Sequence, residues 1–516
     1  MNGAIGKAPG FYASPPDTSQ AQVSETGGAS LGVGVGEAPK GLPFTLLSIM
    51  EPDHVTRHLG KPWHPSVGPK HEHLRQLTDA VGGAPVKFVR VVASDALFPV
   101  IRLKPNTTPD AWEVVNDTSS FGVDVVVGSP EVMAIYPYDG DPSTKRRVSI
   151  SLNATTERFT LLFEEQNSLG DWLEIEGERH EGLSVDIDAT SDLGVPAHVS
   201  AVLEAKQSRF RVEITPGTTF SDLYDLPATV FTGGTNGGTP TSDDYDRAIN
   251  ILKKADVFAT DVIALGHYDP VLLSKLSEVA SSKDGGFWGD APPSMNNSQA
   301  IAFMGTLGIN YRYSVFTHFP YSATDRVYGG KAVWGTSGAA FAMKARGNSQ
   351  YKGTVPSVHL SPAGINRGVL NRQSVAALFP EDVVDGDAMV EARLNGFAFD
   401  EGRAYLNDAL TLHPKSDYLR YEWVNAIHSE ILRRVKTLAK QFQHEPDVAM
   451  ARFEGRVINE LKNFVTSGAL VKGEGDPGFT VSLRKSASDP DLWEIIWSFR
   501  PTGSARRIIG LPVIMS

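Results

Sequence analysis

The chain has 516 residues, 41% of them hydrophobic, a formal net charge of −12 and a sequence pI of about 5.6. That acidic balance argues against a nucleic-acid binder, which needs a basic stripe to replace phosphate counterions. With no cysteine, disulfide frameworks, zinc knuckles and thiol catalysis are excluded. The length suits two to four domains.

The opening "MNGAIGKAPGFYASPPDTSQAQVSETGGASLG" lacks the continuous apolar run of a signal peptide. No window nears the roughly eighteen apolar residues of a membrane span, so neither feature is expected. Residues 1–30, rich in Gly, Pro, Ser and Thr, read as an extended arm. "PGFYAS" within it could form one short strand. Residues 31–95 begin a core domain: "LGVGVGEAPKGLPFTLLSI" reads as strand, turn and strand, and "PVKFVRVVA" as a buried strand.

Residues 96–222 change character. "VDVVVG", "RRVSISLN", "RFTLLFEEQ", "WLEIEG", "LSVDID" and "FRVEITPG" are short alternating runs between turn formers, with no long helical period until Asp243. This predicts an inserted all-β domain. Residues 223–400 return to an α/β pattern, with "DVIALG", a helix around Leu272 to Val279, and "YSVFTHF".

Residues 401–503 hold two amphipathic helices. Trp423, Ile427, Ile431, Val435, Leu438 and Phe442 form one stripe, and Met450, Phe453, Val457, Leu461 and Phe464 the other. Pro446 suits a helix start and Gly468 an end. A hairpin follows, with Phe479, Val481 and Leu483 alternating in its first strand and Trp493, Ile495, Trp497 and Phe499 in its second. Residues 504–516 close with "RRIIGLPVIMS", a detached apolar strand.

The candidate chemistry is thin. "VFTGGTNGGTPTSDDYDRAINIL" has the strand, glycine loop and helix of a phosphate cradle. From Gly233 the second glycine falls on Gly238, but Thr239 holds the lysine position and Pro240 follows. Without that lysine the loop reads as a turn needing positive φ. Asp243, Asp244 and Asp246 sit where acids complement a helix dipole.

"GTSGAAFA" resembles the serine loop of subtilisin-like proteases, with Ala339 in place of the last glycine of Gly-x-Ser-x-Gly. Ser337 lacks the family's histidine and aspartate passages. Small residues permitting close helix packing are the alternative account. His54, His58, His64, His71 and His73 cluster, and His54 and His58 stand at metal-ligand spacing. Surface histidines on a polar helix and loop are the other account. No catalytic, metal or cofactor site is expected.

Four passages together resemble the tail sheath proteins of contractile-tailed phages (myoviruses): "PGFY" on the arm, "VGVGEAPKGLPFTLLSI", "VFTGGTNGGTPTSDDYDRAINIL", and "YLRYEWVNAIHSEI" before a hairpin and terminal strand. The resemblance spans the ends and the core. Residues 96–222 are not covered, and "HLSPAGINRGVLN" departs from the usual wording.

The resemblance implies an α+β multidomain protein: an α/β-type sheath core with terminal β-strand arms and an inserted all-β domain facing outward. It implies a structural, non-enzymatic subunit that polymerises as stacked hexameric rings around a tail tube. Contraction then drives the tube through the host envelope for genome ejection. The implied partners are further copies of the chain, the tube protein, and baseplate and tail terminator proteins, with no nucleic acid or membrane. The implied location is the virion tail, assembled in the host cytoplasm.

Strand exchange between subunits would use Phe11 and Tyr12 in one arm and Ile508, Ile509, Leu511, Val513 and Ile514 in the other. Phe479, Val481, Leu483, Trp493, Ile495, Trp497 and Phe499 would form the acceptor hairpin. Pairing of the terminal strand within its own domain fits the same residues. At about 100° per residue, Arg433, Lys436 and Lys440 share a helix sector away from the apolar stripe and would face an acidic tube. An ordinary amphipathic helix with a solvated basic face has the same pattern. A bacteriocin or other contractile-injection sheath, and an α/β hydrolase using Ser337, are the alternative readings.

Overall fold

The computed structural model describes residues 29–107, 110–191, 193–254, 259–382, 385–400, 402–488, 492–504 and 506. Its centre is a seven-stranded sheet ordered Leu46–Ile49, Val86–Val91, Gly32–Glu37, Asp261–Ile263, Gly286–Asp290, Ser314–Thr317, Leu394–Asn395. Only the first pairing is antiparallel; all the others are parallel.

Parallel strands are covered on both faces and so carry continuous apolar runs. Val86–Val91 is accordingly buried at every position. One face packs under the helices Ser242–Lys254 and Pro270–Ser282, through Val33, Val35, Ile249, Leu252, Leu273 and Leu276. The other packs under His71–Val81 and Ser337–Asn348, through Leu74, Leu77, Phe88, Ile263 and Phe341. A Cβ at Gly338 would collide with the Gln76 carbonyl, so the small residues of "GTSGAAFA" let these two helices touch.

Among the described residues the second body is β apart from the short helix Val199–Ala205 and the single helical turn Phe220–Asp222. One four-stranded sheet orders Phe210–Ile214, Met133–Pro137, Leu97–Thr107, Asp110–Ser120. The other orders Leu226–Val230, Arg146–Asn153, Arg158–Gln166, Trp172–Leu183. They share one core, in which Phe163 stacks on Phe210 with centroids 3.8 Å apart.

Several elements differ from the sequence pattern. "VDVVVG" is an irregular segment that tucks Val125 beneath the sheet. The helix Val199–Ala205 stands inside the β run, docking Val199 and Leu203 on that shared core. Leu226–Val230 does not feed the central sheet: it pairs antiparallel with Arg146–Asn153.

The third body holds the helices Glu422–Phe442 and Met450–Ser467, whose expected stripes form one core from Ile427 onward with Leu438 at its margin, while Trp423 is buried against Tyr421 instead. Pro446 precedes the short turn Asp447–Ala449, and Gly468 closes the second helix at φ +86°. The first helix is tied to the central domain at its first residue. Glu422, 0% exposed, accepts from Lys344 Nζ at 3.1 Å and from the Tyr313 hydroxyl at 3.0 Å. Lys344 Nζ also donates to the Val358 carbonyl at 2.6 Å, so this buried pair is hydrogen-bonded as well as charge-matched.

Candidate functional site

The strands Phe479–Lys485 and Trp493–Phe499 form a two-stranded sheet. Pairing runs without a shift from Phe479 opposite Phe499 to Lys485 opposite Trp493. Because alternate residues share a face, Phe479, Val481, Leu483, Trp493, Ile495, Trp497 and Phe499 all lie on one side. That side packs on the helical core, with Phe479 8% exposed. The other face is polar apart from the 53% exposed Ile496, with Thr480 hydrogen-bonded to Ser498 and Arg484 paired with Glu494, each at 2.6 Å.

The amide of Leu483 points away from the partner strand, donating to Glu454 Oε1 at 3.1 Å. In an antiparallel pair, residues of that parity turn their main-chain groups outward. Val481 on one strand and Ile495 and Trp497 on the other therefore present outward N–H and C=O groups. Beyond Phe499 the second strand is covered where Leu470 bridges Pro501. A two-stranded sheet with outward main-chain groups is a template for an added strand.

The basic helix sector is not uniform. Arg433 is 14% exposed and pairs with Glu430 at 3.0 Å, turned toward the protein rather than away from it. Burial of its neighbour Asp261 pushes that carboxyl up, and the Arg433 charge opposes the shift. Lys436 is 55% exposed and paired with Asp284, and Lys440 is exposed. Phe11 and Tyr12, and Ile508, Ile509, Leu511, Val513 and Ile514, lie outside the described residues. The last residue described, Arg506, is docked: its Nε donates to Asp408 Oδ1 at 3.0 Å. Neither residue stands out in the sequence, since an Arg and an Asp 98 positions apart carry no pattern.

Several solved structures share this architecture almost end to end. A sheath tail protein from Listeria innocua matches with a TM-score of 0.56 at 11% identity, over 94% of this chain and 95% of that one. One from Desulfitobacterium hafniense matches with a TM-score of 0.51 at 12% identity, over 96% and 100%. This is the sheath tail protein fold. The contracted helical sheath of the anti-feeding prophage also matches, with a TM-score of 0.50 at 10% identity, over 99% of this chain and 100% of that one. No family model and no curated protein matches the sequence. The α+β multidomain class expected from sequence holds.

Within the sheath fold the glycine loop is a joint. Gly233 and Gly237 take φ of +90° and +73°, and a Cβ at Gly237 would collide with the Asp95 carboxylate. Between them Asn236 accepts from Arg90 and donates to the Pro39 carbonyl at 3.0 Å. Arg90, 0% exposed, also donates to the carbonyls of Ala38, Gly41 and Gly140 at 2.8, 2.5 and 2.6 Å. One buried guanidinium thus binds the central sheet, the glycine loop and a turn of the β body together.

At the helix starts, acids do structural work. Asp244 accepts from the Thr241 amide at 2.8 Å, while Asp246 pairs with Lys275 at 2.6 Å. Ser337 is 0% exposed, with its hydroxyl donating to Gln76 Oε1 at 2.6 Å. The helix N-terminus there is filled by Asp290, which accepts from the amides of Thr336 and Ser337 at 2.8 and 2.9 Å. A reacting carbonyl would find neither the hydroxyl nor the amides accessible.

The histidine reading needs correcting for two members. His71 and His73 are 7% and 3% exposed, on a helix held between the sheet and Ser337–Asn348. His71 Nε2 bonds the Val333 carbonyl at 2.9 Å and His73 Nδ1 the Leu265 carbonyl at 2.8 Å. Burial drives both pKa values down to about 4. His54 meets His58 edge to face at 5.4 Å, and among the described residues no group of three or more potential ligands gathers around a metal position. Beside these histidines, Glu72 accepts from the Gly335 amide at 2.7 Å and from the Tyr268 hydroxyl at 2.5 Å, and burial pushes it up to about 7.

Proposed function

We propose that the chain is the sheath subunit of a contractile tail, a structural protein rather than an enzyme. It polymerises with copies of itself around an inner tube and contracts to drive that tube through a cell envelope. The observation that carries this reading is a sheath tail protein fold extending over 94% of the chain or more. The outward main-chain groups of the terminal hairpin support it.

A sheath must keep its subunits linked while their packing changes. Strands on leashes can do this where flat rigid interfaces cannot. In this reading Phe11 and Tyr12 from one neighbour, and Ile508, Ile509, Leu511, Val513 and Ile514 from another, add strands to the hairpin. Main-chain bonds supply affinity and alternate side chains supply specificity. Lys436 and Lys440 face the acidic tube, while Arg433 supports the helix from within. Baseplate and tail terminator proteins cap the ends, in a particle assembled in the host cytoplasm.

Contraction needs no nucleotide. A difference of a few kcal/mol per subunit between two packings, summed over many copies, is enough. The phage reading is preferred because one chain combines both arms with a large β body. A contractile injection system is the second reading, favoured by the likeness to the anti-feeding prophage sheath.

Electron microscopy of the purified protein at rising concentration tests the proposal. Long hollow tubes, lost on deletion of residues 504–516, are the expected result. Discrete small particles at every concentration and salt would overturn it.

A further inference from the structure

The root of the C-terminal arm is fastened in a way the strand-exchange reading does not require. Arg506 meets Asp408 with two nitrogens, and the two side chains are only 22% and 17% exposed. The Arg506 guanidinium also lies 5.5 Å from the centroid of the Tyr421 ring. Tyr421 stacks on Trp423 at 4.7 Å, and Trp423 is 3% exposed in the first turn of the long helix. A flat guanidinium bonded in-plane to a carboxylate and stacked on an aromatic face is held in direction as well as position.

The same place is crowded with like charge. Arg420 lies 5.6 Å from the Tyr421 ring. Burial, and then the charges of Arg420 and Arg506, lower the pKa of Arg393. The Asp408 hydrogen bond, by contrast, raises that of Arg506. Arg506 is thus held by one carboxylate and one ring against the repulsion of two other guanidinium groups. Such a fastening is directional.

Resting on the strand-exchange reading, we propose that Asp408 and Arg506 form a latch. It fixes where, and in which direction, the C-terminal arm leaves one subunit for a second copy of the chain. A root held in one direction loses less orientational freedom when the arm binds its acceptor.

The test measures the lowest concentration at which the full-length protein forms tubes, together with the melting temperature of the unassembled protein. Asp408→Arg and Arg506→Asp should each raise that concentration about fivefold, and the double exchange should return it to within about twofold of the original. The melting temperature should stay within about 2 °C, as one partly exposed ion pair adds little to folding. A single variant assembling at the original concentration, a double exchange that restores nothing, or a lowered melting temperature that accounts for the loss would each overturn the latch. If the unaltered protein forms no tubes, the sheath reading itself falls; if it does and Asp408→Arg assembles equally well, only the latch falls.

Discussion

The β body and the C-terminal hairpin are built from similar strands, but they treat their edges in opposite ways. In the β body the edge strand Trp172–Leu183 sets exposed Glu174, Glu176, Arg179 and Glu181 along its length, and its register with Arg158–Gln166 shifts twice. The edge strand Leu226–Val230 carries Pro227 and a register shift of its own. Charge, proline and bulges all discourage a further strand. The hairpin has none of these over its seven paired positions, apart from the charges near its turn. Of these three edges, the open one stands next to the root of an arm.

Substitutions can pull the two regions apart. The largest effect is expected from Ile495→Pro. Its amide points outward, so proline removes no bond within the hairpin but blocks an incoming strand. Tube formation should be lost outright, as seen by microscopy, with the protein still folded by circular dichroism. Val481→Pro is the companion: if only one of the two abolishes tubes, that edge is the acceptor. Tubes from both variants would break the comparison.

Phe163→Ala is the converse. Removing this 0% exposed ring should cost about 3–5 kcal/mol in denaturant titration. Tubes should still form under native conditions, because the β body supplies no exchanged strand.

Acid should weaken the central domain through its buried histidines. In the unfolded chain His73 takes up its proton near pH 6.5, but in the folded one only at about 4. Stability present above pH 6.5 is therefore lost as pH falls toward 4. Thermal melts across that range should show the decline, and His73→Asn should flatten it.

A smaller loss, about 1 kcal/mol, is expected for Ser337→Ala, which takes from Gln76 Oε1 the shorter of its two bonds and leaves only the Gly338 amide at 3.5 Å. Assembly should be untouched, whereas a hydrolase would lose its activity. Smallest of all, Lys440→Glu should leave sheath-only tubes intact and lower co-assembly with the inner tube about twofold in a pull-down.

Where side-chain period and burial coincide, the fold was legible in sequence. The stripes from Ile427 to Phe442 and from Met450 to Phe464, and the alternation from Phe479 to Phe499, land on one shared core. With Thr239 at the lysine position the glycine loop read as a turn needing positive φ, and Gly233 and Gly237 take that conformation. What escaped depends on partners distant in sequence. "HEHLRQLTDAV" looks like a surface helix, because Glu72, Arg75 and Gln76 bond Gly335, Asp325 and Ser337, partners about 250 positions away or more. The apolar run "VDVVVG" has strand composition, but only Val125 is buried, and its neighbours Val123 and Val126 are 59% and 76% exposed. Arg90, the joint between two bodies, reads as one charge in an apolar strand, and nothing local announces its carbonyl partners.

The buried pair at the start of the long helix has a mechanical consequence. Tension on the hairpin passes to Met450–Ser467, then to Glu422–Phe442, and enters the sheet domain where Glu422 grips Lys344 and Tyr313. That is a short, stiff load path with a charged rivet at its inner end. The β body hangs to one side of it on Arg90, so a pulling neighbour would strain the sheet domain and leave the β body slack.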